Sequence, residues 1–333
     1  MKKVLVFIMV GILASGIVFA GGQGDSEADG PLTLTLGHGA APSNPRHTVA
    51  VQMAEWIDKE SEGTLKVEVI PSETLGNDRQ MAEAVSMGTL DLSINSQGPV
   101  ATYNEKMSAI GMPFLFEKPE NAYSVLDGDI GKELAEPLID QGIRVLSYWD
   151  NGFRHITNNV RPVQNPEDLK GLKIRTPEDE ITLAIFRTLG ANPAPLAFGE
   201  LYLALQQGVF DGQENPVTNI YFSNIHEVQK FLSLSNHKYE MCPLIVSESV
   251  WKTLSDDHKS ILSEAALRFA KVHRQENNKL QNELLEEVKA SGVAVNNADV
   301  PALRKATAAV YDQFRPKFGS DFIDRLVKAA SGK

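Results

Sequence analysis

Apolar and polar positions repeat along this chain with two different periods, which predict strands interleaved with helices. Segment 31–36 (PLTLTL) alternates residue by residue, as a half-buried strand does. Segment 48–60 instead places Val49, Met53 and Ile57 four positions apart, which is the spacing of one helix face. Because both patterns recur throughout the chain, the sequence predicts an α/β protein.

Other elements follow from the same periods and from the turn residues that flank them. The predicted strands are 65–70, 90–94, 143–148 and 172–175, and the predicted helices are 78–87, 178–189, 199–207 and 256–290. Segment 256–290 contains no proline or glycine, and as a helix it would extend about 50 Å at roughly 1.5 Å per residue. That length exceeds the diameter of one domain, so we expect this helix to run along two lobes.

The N-terminal segment differs in composition from the rest of the chain. Two lysines precede an almost unbroken apolar run, 4–19, and the small residues Val18 and Ala20 fit the −3 and −1 positions of a cleavage site. An uncleaved membrane anchor is the alternative, since the run is near the lower length limit for a spanning helix. We predict a signal peptide at 1–20, a flexible tail at 21–31 and an exported, periplasmic protein.

Charge and motifs exclude several classes of function. The net charge of −11 argues against nucleic acid or an anionic membrane as partner, although a small anion responds to local charge. The single cysteine, Cys242, cannot form an intrachain disulfide. The sequence has no nucleophile-elbow, zinc-protease, P-loop or dinucleotide-binding motif, and no histidine or cysteine set at metal-ligand spacing. We therefore expect a protein that is not an enzyme and has no cofactor or metal.

Four polar patches are candidate binding segments. They are NSQG (95–98), WDNGFRHITNN (149–159), RTPEDE (175–180) and DGQENP (211–216). The first three are predicted to follow strands, where open α/β sheets bind their ligands, and the fourth is predicted to be a loop. The second and third carry Arg154 and Arg175, and two arginines facing one crevice suit a carboxylate, which a guanidinium binds with two parallel hydrogen bonds.

Each candidate residue also has an ordinary structural interpretation. Arg175 could form an ion pair with Glu178 or Asp179. Asn215 fits a turn before a proline, Phe198 fits the core, and His38 could be satisfied by the turn that follows it.

Several segments together resemble the extracytoplasmic solute-binding proteins of tripartite ATP-independent periplasmic (TRAP) transporters. The resemblance runs from about Leu32 to the C-terminus, and its most specific segments are 71–81, 90–93, 111–116, 168–177, 189–216 and 227–237. DGQENP, at its distance from the KIRTP segment, is the strongest of these matches.

The resemblance implies two α/β lobes that are joined by connecting strands, with a long helix spanning both. It also implies a ligand carboxylate in the cleft, lobes that close over it, TRAP permease membrane subunits as partners, and a mostly monomeric receptor. Placed on this chain, the first lobe would comprise 32–151 and 241–280, and the second lobe 152–240 and 281–333.

The resemblance also implies roles for individual residues. Arg175 would be the principal carboxylate clamp, and Arg154 a second arginine that supports the same carboxylate. Asn215 would bond that carboxylate as well, and Phe198 would form an aromatic wall beneath the ligand. Asp78 matches a cleft residue of the first lobe in sialic-acid-binding members.

This chain departs from the sialic-acid-binding members at two places. Segment 95–99 (NSQGP) stands where those relatives carry an acid and an arginine, and His38 and Gly39 replace an asparagine-bearing turn. Sialic acid is therefore not the expected ligand.

The remaining polar candidates favour a hydroxylated acid as ligand. They are His38, Asn95, Gln97, Asp150, Asn151, Glu178 and Tyr239. Amides and carboxylates bond hydroxyl groups, and Glu178 would repel a second carboxylate, for which no third arginine is obviously placed. We predict a hexuronate such as glucuronate or galacturonate. The alternatives are an aldonate, a dicarboxylate or another organic acid, a receptor serving another transporter or a sensor, and an exported uronate-acting enzyme.

Overall fold

The structure is a computed structural model that describes residues 30–332. The predicted signal peptide, 1–20, and most of the predicted tail, 21–31, lie outside the described residues. Within 30–332, no helix has both the length and the apolar character needed to cross a membrane.

Nine strands and thirteen α-helices make up the described chain. The strands are β1 Leu32–His38, β2 Leu65–Ile70, β3 Leu92–Ile94, β4 Ile143–Asn158, β5 Lys173–Thr176, β6 Asn192–Pro195, β7 Gly212–Asn215, β8 Phe231–Ser247 and β9 Ala294–Asn297. The helices are α1 Pro45–Glu60, α2 Asp78–Met87, α3 Gln97–Ala101, α4 Pro119–Leu126, α5 Asp129–Ala135, α6 Glu180–Thr188, α7 Leu201–Gln206, α8 Val217–Phe222, α9 Glu248–Thr253, α10 Asp256–Ala290, α11 Val300–Ala306, α12 Ala308–Phe318 and α13 Ser320–Ala330. Short 3₁₀ turns occupy Glu105–Gly111, Glu136–Gln141, Pro166–Leu169, Phe198–Glu200 and Ile225–Glu227.

The strands form one mixed sheet in the order β2-β1-β3-β8-β4-β7-β5-β6, with β9 also paired to β8. The long strands β4 and β8 pair antiparallel along most of their length. The C-terminal half of β8 pairs with β3, and its N-terminal half pairs with β9. Two sets of strands therefore extend from opposite halves of the β4–β8 ladder, which connects them.

Strand direction brings the ends of both sets toward one place. β3 is antiparallel to β8 and so runs in the same direction as β4, whereas β7 and its parallel neighbour β5 run against β4. The carboxyl ends of β1 and β3 therefore point to the middle of β4 from one side, and those of β5 and β7 point to it from the other. Ligands bind outside such ends in open α/β sheets.

Two of the predicted binding loops are strands in the structure. β4 continues through 149–158, and the DGQENP segment supplies β7. β8, which was not predicted, supplies the pairing that makes this possible, because it hydrogen bonds to one edge of β4 while β7 bonds to the other. Backbone groups are thus satisfied even where the side chains are polar.

Local capping signals set the helices that lie near the strand ends. Asn44 caps α1 by accepting from the Arg46 N–H, and Pro45 occupies the first helical position. Asn77 and Gln80 form a capping box at the start of α2. Gly88 ends α2 in the left-handed conformation, with φ of 76°, as a C-cap glycine does.

The 35-residue helix α10 connects the two halves of the sheet. It packs against β4, against α1 beside the first half and against α8 beside the second. The C-terminal helices also contact both halves, since α12 packs on α6 and on the turn at Glu105–Gly111, while α13 packs on α4. The predicted lobe boundaries near 151 and 240 fall within the β4–β8 ladder, and they stay a prediction.

Candidate ligand-binding cavity

A cavity lies where the strand ends converge, and it holds about 610 Å³ of atom-free space, its mouth included. Seven predicted site residues line it: Asp78, Asn151, Arg154, Arg175, Glu178, Phe198 and Asn215. Residues that were not predicted also line it, among them Arg46, Glu73, Arg79 and Asn219. Ser96, which belongs to the predicted segment 95–98, lines it as well.

Arg175 is a buried cation on the cavity wall, only 2% exposed. Its Nε and Nη2 both donate to the Leu196 carbonyl oxygen, at 2.9 and 2.5 Å. The Phe198 ring centre lies 5.9 Å from its Cζ. Within residues 30–332, no carboxylate oxygen comes within 4.0 Å of its guanidinium, so the alternative ion pair with an acid of 178–180 is not formed.

Electrostatics make Arg175 receptive to an anion. Burial, and then the charge of Arg154, lowers the pKa of Arg175 to about 10, which still leaves it protonated at neutral pH. A buried charge without a partner is costly to the fold. A ligand carboxylate would supply a negative charge next to this guanidinium.

Arg154 has a different setting from the one predicted. It lies within β4, not at a strand-to-loop boundary, and each of its three guanidinium nitrogens donates to a protein oxygen. Nε bonds Glu214 at 2.5 Å, Nη1 bonds Glu240, and Nη2 bonds the Asn215 amide oxygen at 3.2 Å. Its charge is thus neutralised by protein carboxylates, and the structure places it as the support of Asn215.

Arg154 belongs to a buried charge cluster, which consists of Arg154, Asp179, Glu214, Lys238 and Glu240. All five side chains are at most 4% exposed. Lys238 bonds Asp179 and, at 3.4 Å, Glu240. Burial alone would raise the pKa of Glu214, but Arg154 and His237 lower it to about 2. Burial likewise opposes the charge of Lys238, yet Asp179 and Glu240 raise its pKa.

A chain of amide side chains continues from this cluster across the cavity floor. Asn215 Oδ1 also accepts from Asn219 Nδ2 at 3.2 Å, and the same nitrogen donates to Asn151 Oδ1 at 3.0 Å. Arg46 Nη2 donates to that Asn151 oxygen at 2.7 Å. The chain therefore joins groups from both halves of the sheet, and its geometry couples the two walls of the cavity.

The wall near α2 carries two carboxylates. Asp78 Oδ2 accepts from the Ser96 N–H at 3.0 Å, and burial raises the Asp78 pKa. Glu73 Oε2 accepts from the Gly199 N–H at 2.8 Å. Burial, and then the charge of Asp78, raises the pKa of Glu73 to about 7, against the opposing effects of the Gly199 N–H and Arg175. This wall offers oxygen acceptors opposite the cationic Arg175.

Two polar contacts bridge the mouth of the cavity. Arg79 on α2 pairs with Glu178, which follows β5, and Glu73 bonds Gly199 as described above. Glu178, predicted to bond ligand hydroxyls, is thus engaged by Arg79. The backbone is close here too, because a Cβ on Gly98 would lie 2.4 Å from the Glu178 carbonyl oxygen. These contacts hold the two walls together.

Five predicted site residues do not line the cavity. His38 is fully buried and bonds His47 and the Ala40 N–H, both at 3.1 Å, and burial, followed by the charges of Arg46 and His47, lowers its pKa to about 3. Gln97 donates to the Met107 carbonyl at 3.0 Å, in the core.

Asn95, Asp150 and Tyr239, the other three, are also buried away from the cavity. Tyr239 donates to Asp150 at 2.5 Å, so Tyr239 and Asp150 bond each other inside the protein. The Asn95 side chain has no hydrogen-bond partner within the described residues. A segment's place at a strand end determines its position along the sheet, but successive side chains point to opposite faces, so it does not determine which face each one occupies.

The profile of bacterial extracellular solute-binding protein family 7 matches residues 36–317. The chain belongs to this family. An uncharacterized protein of Sinorhizobium fredii, y4mM, is 41% identical over 288 residues, which are 86% of this chain and 53% of that protein. The chain thus spans about half the length of this relative.

Solved structures confirm the two-lobed α/β fold of a family 7 solute-binding protein. The sugar acid binding protein DctPAm of Advenella mimigardefordensis, in complex with galactonate, has a TM-score of 0.88 and 31% identity, covering 91% of this chain and 99% of that one. A TRAP periplasmic solute-binding protein of Roseobacter denitrificans, with bound β-D-glucuronate, has a TM-score of 0.85 and 28% identity, and the match covers 90% of this chain and 98% of that one.

Sequence reasoning missed several polar groups of this solute-binding protein. Lys238 and Glu240 lie in β8, a strand that was not predicted, so no local pattern marked them. Glu214 lies in the candidate segment DGQENP, but that segment was predicted to be a loop and Asn215 is the residue to which a role was given. Arg46 did leave a signal. A cation in the first turn of a helix interacts unfavourably with the helix dipole, so its presence at Arg46 indicates a role other than stabilising the helix.

The raised pKa of Glu73 predicts a pH-dependent stability. A carboxyl group whose pKa is higher in the folded protein contributes stability below its ordinary value of 4.5, and this contribution is lost as pH rises through about 7. Asp78 disfavours the charged form of Glu73, and Arg175 and the Gly199 N–H favour it.

We therefore expect the melting temperature of the ligand-free protein to fall between pH 5 and pH 8 by a few degrees more in wild type than in Glu73→Gln. One kcal/mol corresponds to about 2 °C in a chain of this length, since the shift in melting temperature becomes smaller as the chain becomes longer. Thermal unfolding of both proteins across that pH range checks this. Parallel curves would contradict it.

Proposed function

We propose that this protein is the extracytoplasmic receptor of a TRAP transporter. It binds a sugar acid in the cavity, a hexuronate such as glucuronate or galacturonate or the related aldonate, and delivers it to the membrane permease. The observation that carries this proposal is Arg175, a buried guanidinium on the cavity wall with no carboxylate of residues 30–332 within 4.0 Å.

The rest of the cavity supports a hydroxylated ligand. Asp78 and Glu73 present carboxylate oxygens on the wall opposite Arg175, and carboxylates are natural acceptors for hydroxyl groups. The relatives with bound galactonate and β-D-glucuronate hold ligands of this chemistry, one carboxylate on a polyhydroxylated chain or ring. The Phe198 face beside Arg175 provides an apolar surface for the carbon skeleton.

Delivery would depend on closure of the two lobes. A ligand that contacts both walls favours the form in which the walls are together, and the Arg79–Glu178 and Glu73–Gly199 contacts would belong to that form. The closed form, periplasmic and monomeric, would then dock on the permease subunits.

Titration with a panel of acids tests this function. Calorimetry with glucuronate, galacturonate, galactonate and succinate should give tight binding to at least one sugar acid, with succinate far weaker. Binding of succinate or of a hydrophobic acid alone would exclude the sugar-acid assignment. Incubation of a bound acid followed by mass spectrometry separates a receptor from an enzyme, since a receptor returns it unchanged.

A dicarboxylate receptor is the second candidate, because the structure supplies the third arginine that the sequence did not reveal. Arg46 lines the cavity, 5% exposed, and among residues 30–332 no carboxylate lies within 4.0 Å of it. Nearby Asp78 argues against this candidate, since it would repel a second carboxylate.

A further inference from the structure

We infer that Arg46 is a second ligand-binding cation of the cavity, which bonds a hydroxyl group at the far end of the ligand, and that Asp78 beside it selects this hydroxyl group over a second carboxylate. This inference rests on the proposed function, because it takes the ligand carboxylate to be on Arg175. It assigns the specificity of the opposite wall to two named groups.

Comparison of the buried arginines singles out Arg46. Within residues 30–332 four arginines are buried: Arg46, Arg154, Arg175 and Arg274. Arg154 has its two glutamates, and Arg274 binds both oxygens of Asp127 at 2.6 and 2.8 Å. Neither Arg46 nor Arg175 has a carboxylate of the described chain within 4.0 Å, and both line the same cavity.

The position of Arg46 offers few interactions that would compensate the free-energy cost of burying its charge. It lies in the first turn of α1, where the helix dipole is unfavourable to a cation. Its side chain makes one hydrogen bond, to Asn151, and its Nε is buried without a partner in the described residues. An unpaired buried guanidinium is expensive, so an acceptor from the ligand is its natural partner.

Asp78 is the matching acceptor. Its Oδ2 is used by the Ser96 N–H, whereas its Oδ1 is buried and has no partner within residues 30–332. Arg46 is close enough to lower the pKa of Asp78, although burial has the larger, opposite effect. The wall thus presents an unpaired donor and an unpaired acceptor.

A hydroxyl group satisfies both of these atoms, since it accepts from Arg46 and donates to Asp78. A carboxylate can only accept, and it would leave Asp78 facing a like charge. Asp78 therefore makes this wall discriminate against the diacid in favour of the aldonate of the same length, while Arg46 contributes affinity to both.

Galactonate and galactarate test this directly, because they differ only at the far carbon, which is a hydroxymethyl group in one and a carboxylate in the other. Affinities for both are measured by calorimetry in wild type, Arg46→Met, Arg46→Lys and Asp78→Asn. The matched control is Arg187→Met, which removes an exposed arginine of α6 that does not line the cavity. Melting temperatures verify that each variant is folded.

We expect wild type to prefer galactonate. Arg46→Met should lower the affinity for galactonate by about 30-fold and the affinity for galactarate by more, so that the preference for galactonate grows. The affinities of Arg46→Lys should lie between those of Arg46→Met and wild type. Asp78→Asn should reduce that preference by about tenfold, and Arg187→Met should leave it unchanged. A merely structural role for Arg46 would lower both affinities equally.

An unchanged galactonate-to-galactarate ratio in Arg46→Met and Asp78→Asn, with wild type binding galactonate, would overturn the assignment of this wall and leave the proposed function standing. Wild type that binds no sugar acid of the panel would overturn the proposed function, and this inference with it.

Discussion

Replacing Arg175 with alanine is expected to abolish sugar-acid binding while leaving the ligand-free protein as stable as wild type or more stable. The ligand carboxylate would lose its charge-assisted partner inside a buried site, at a cost of about 2–5 kcal/mol, or roughly 30-fold to several thousand-fold in affinity. The ligand-free protein loses a buried cation that has no carboxylate neighbour among residues 30–332, which removes a desolvation penalty.

Calorimetry with galactonate and glucuronate, together with thermal unfolding without ligand, measures both effects. Arg175→Lys should bind with intermediate affinity, because an ammonium group keeps the charge but loses the planar, two-pronged geometry. Arg187→Ala, which removes an exposed arginine, serves as the control for net charge. Wild-type affinity in Arg175→Ala would exclude it as the carboxylate clamp.

The parts of the fold that the sequence predicts well are those with local signals. Helix α2 begins and ends at the predicted residues, because its capping box and its C-cap glycine are both within the segment. Helix α10 also has its predicted bounds, since a long amphipathic run without proline or glycine leaves few alternatives. Such signals do not depend on what the segment packs against.

The central strands could not be predicted for the opposite reason. Segment 149–158 is rich in polar residues and was interpreted as a loop, but it is a central strand with partners on both edges. Its Arg154 is compensated by acids 60 and 86 residues away in the chain. Nothing near it in the sequence reveals that compensation.

The residues of the candidate site likewise fall into those that a local motif predicts and those that depend on distant parts of the chain. Motif position placed Arg175, Phe198 and Asn215 on one cavity wall, because these residues follow or end parallel strands whose carboxyl ends meet. The opposite wall is formed by side chains whose direction depends on non-local packing, which is why Arg46 was missed and His38 was included. A single sequence does not encode that direction in any short pattern.

Replacing Lys238 with methionine is expected to be strongly destabilising, although Lys238 does not line the cavity. The substitution preserves most of the volume but leaves Asp179 buried without its cation and Glu240 with Arg154 alone. Breaking a buried ion pair from one side costs about 3–5 kcal/mol, which corresponds to a fall in melting temperature of roughly 6–10 °C. Lys66→Met is the matched control, since its 3.9 Å pair with Asp58 is half-exposed and should change stability by less than about 0.5 kcal/mol.

The loss of stability in Lys238→Met relative to wild type should also depend on pH, and it should be smaller at acidic pH. In wild type the pKa of Glu240 is lowered, since Arg154 and Lys238 outweigh the effect of burial, so its contribution to stability is present at neutral pH and lost on acidification. In the variant this contribution is smaller, and the difference between the two melting temperatures should shrink as pH falls toward 4.

The double variant Asp179→Asn, Lys238→Met should recover part of the loss of stability at neutral pH, because it removes the carboxylate that has lost its cation. The introduced amide keeps an oxygen that can cap α6. A deficit that is constant with pH and is not relieved in the double variant would show that the lysine acts through packing and not through charge.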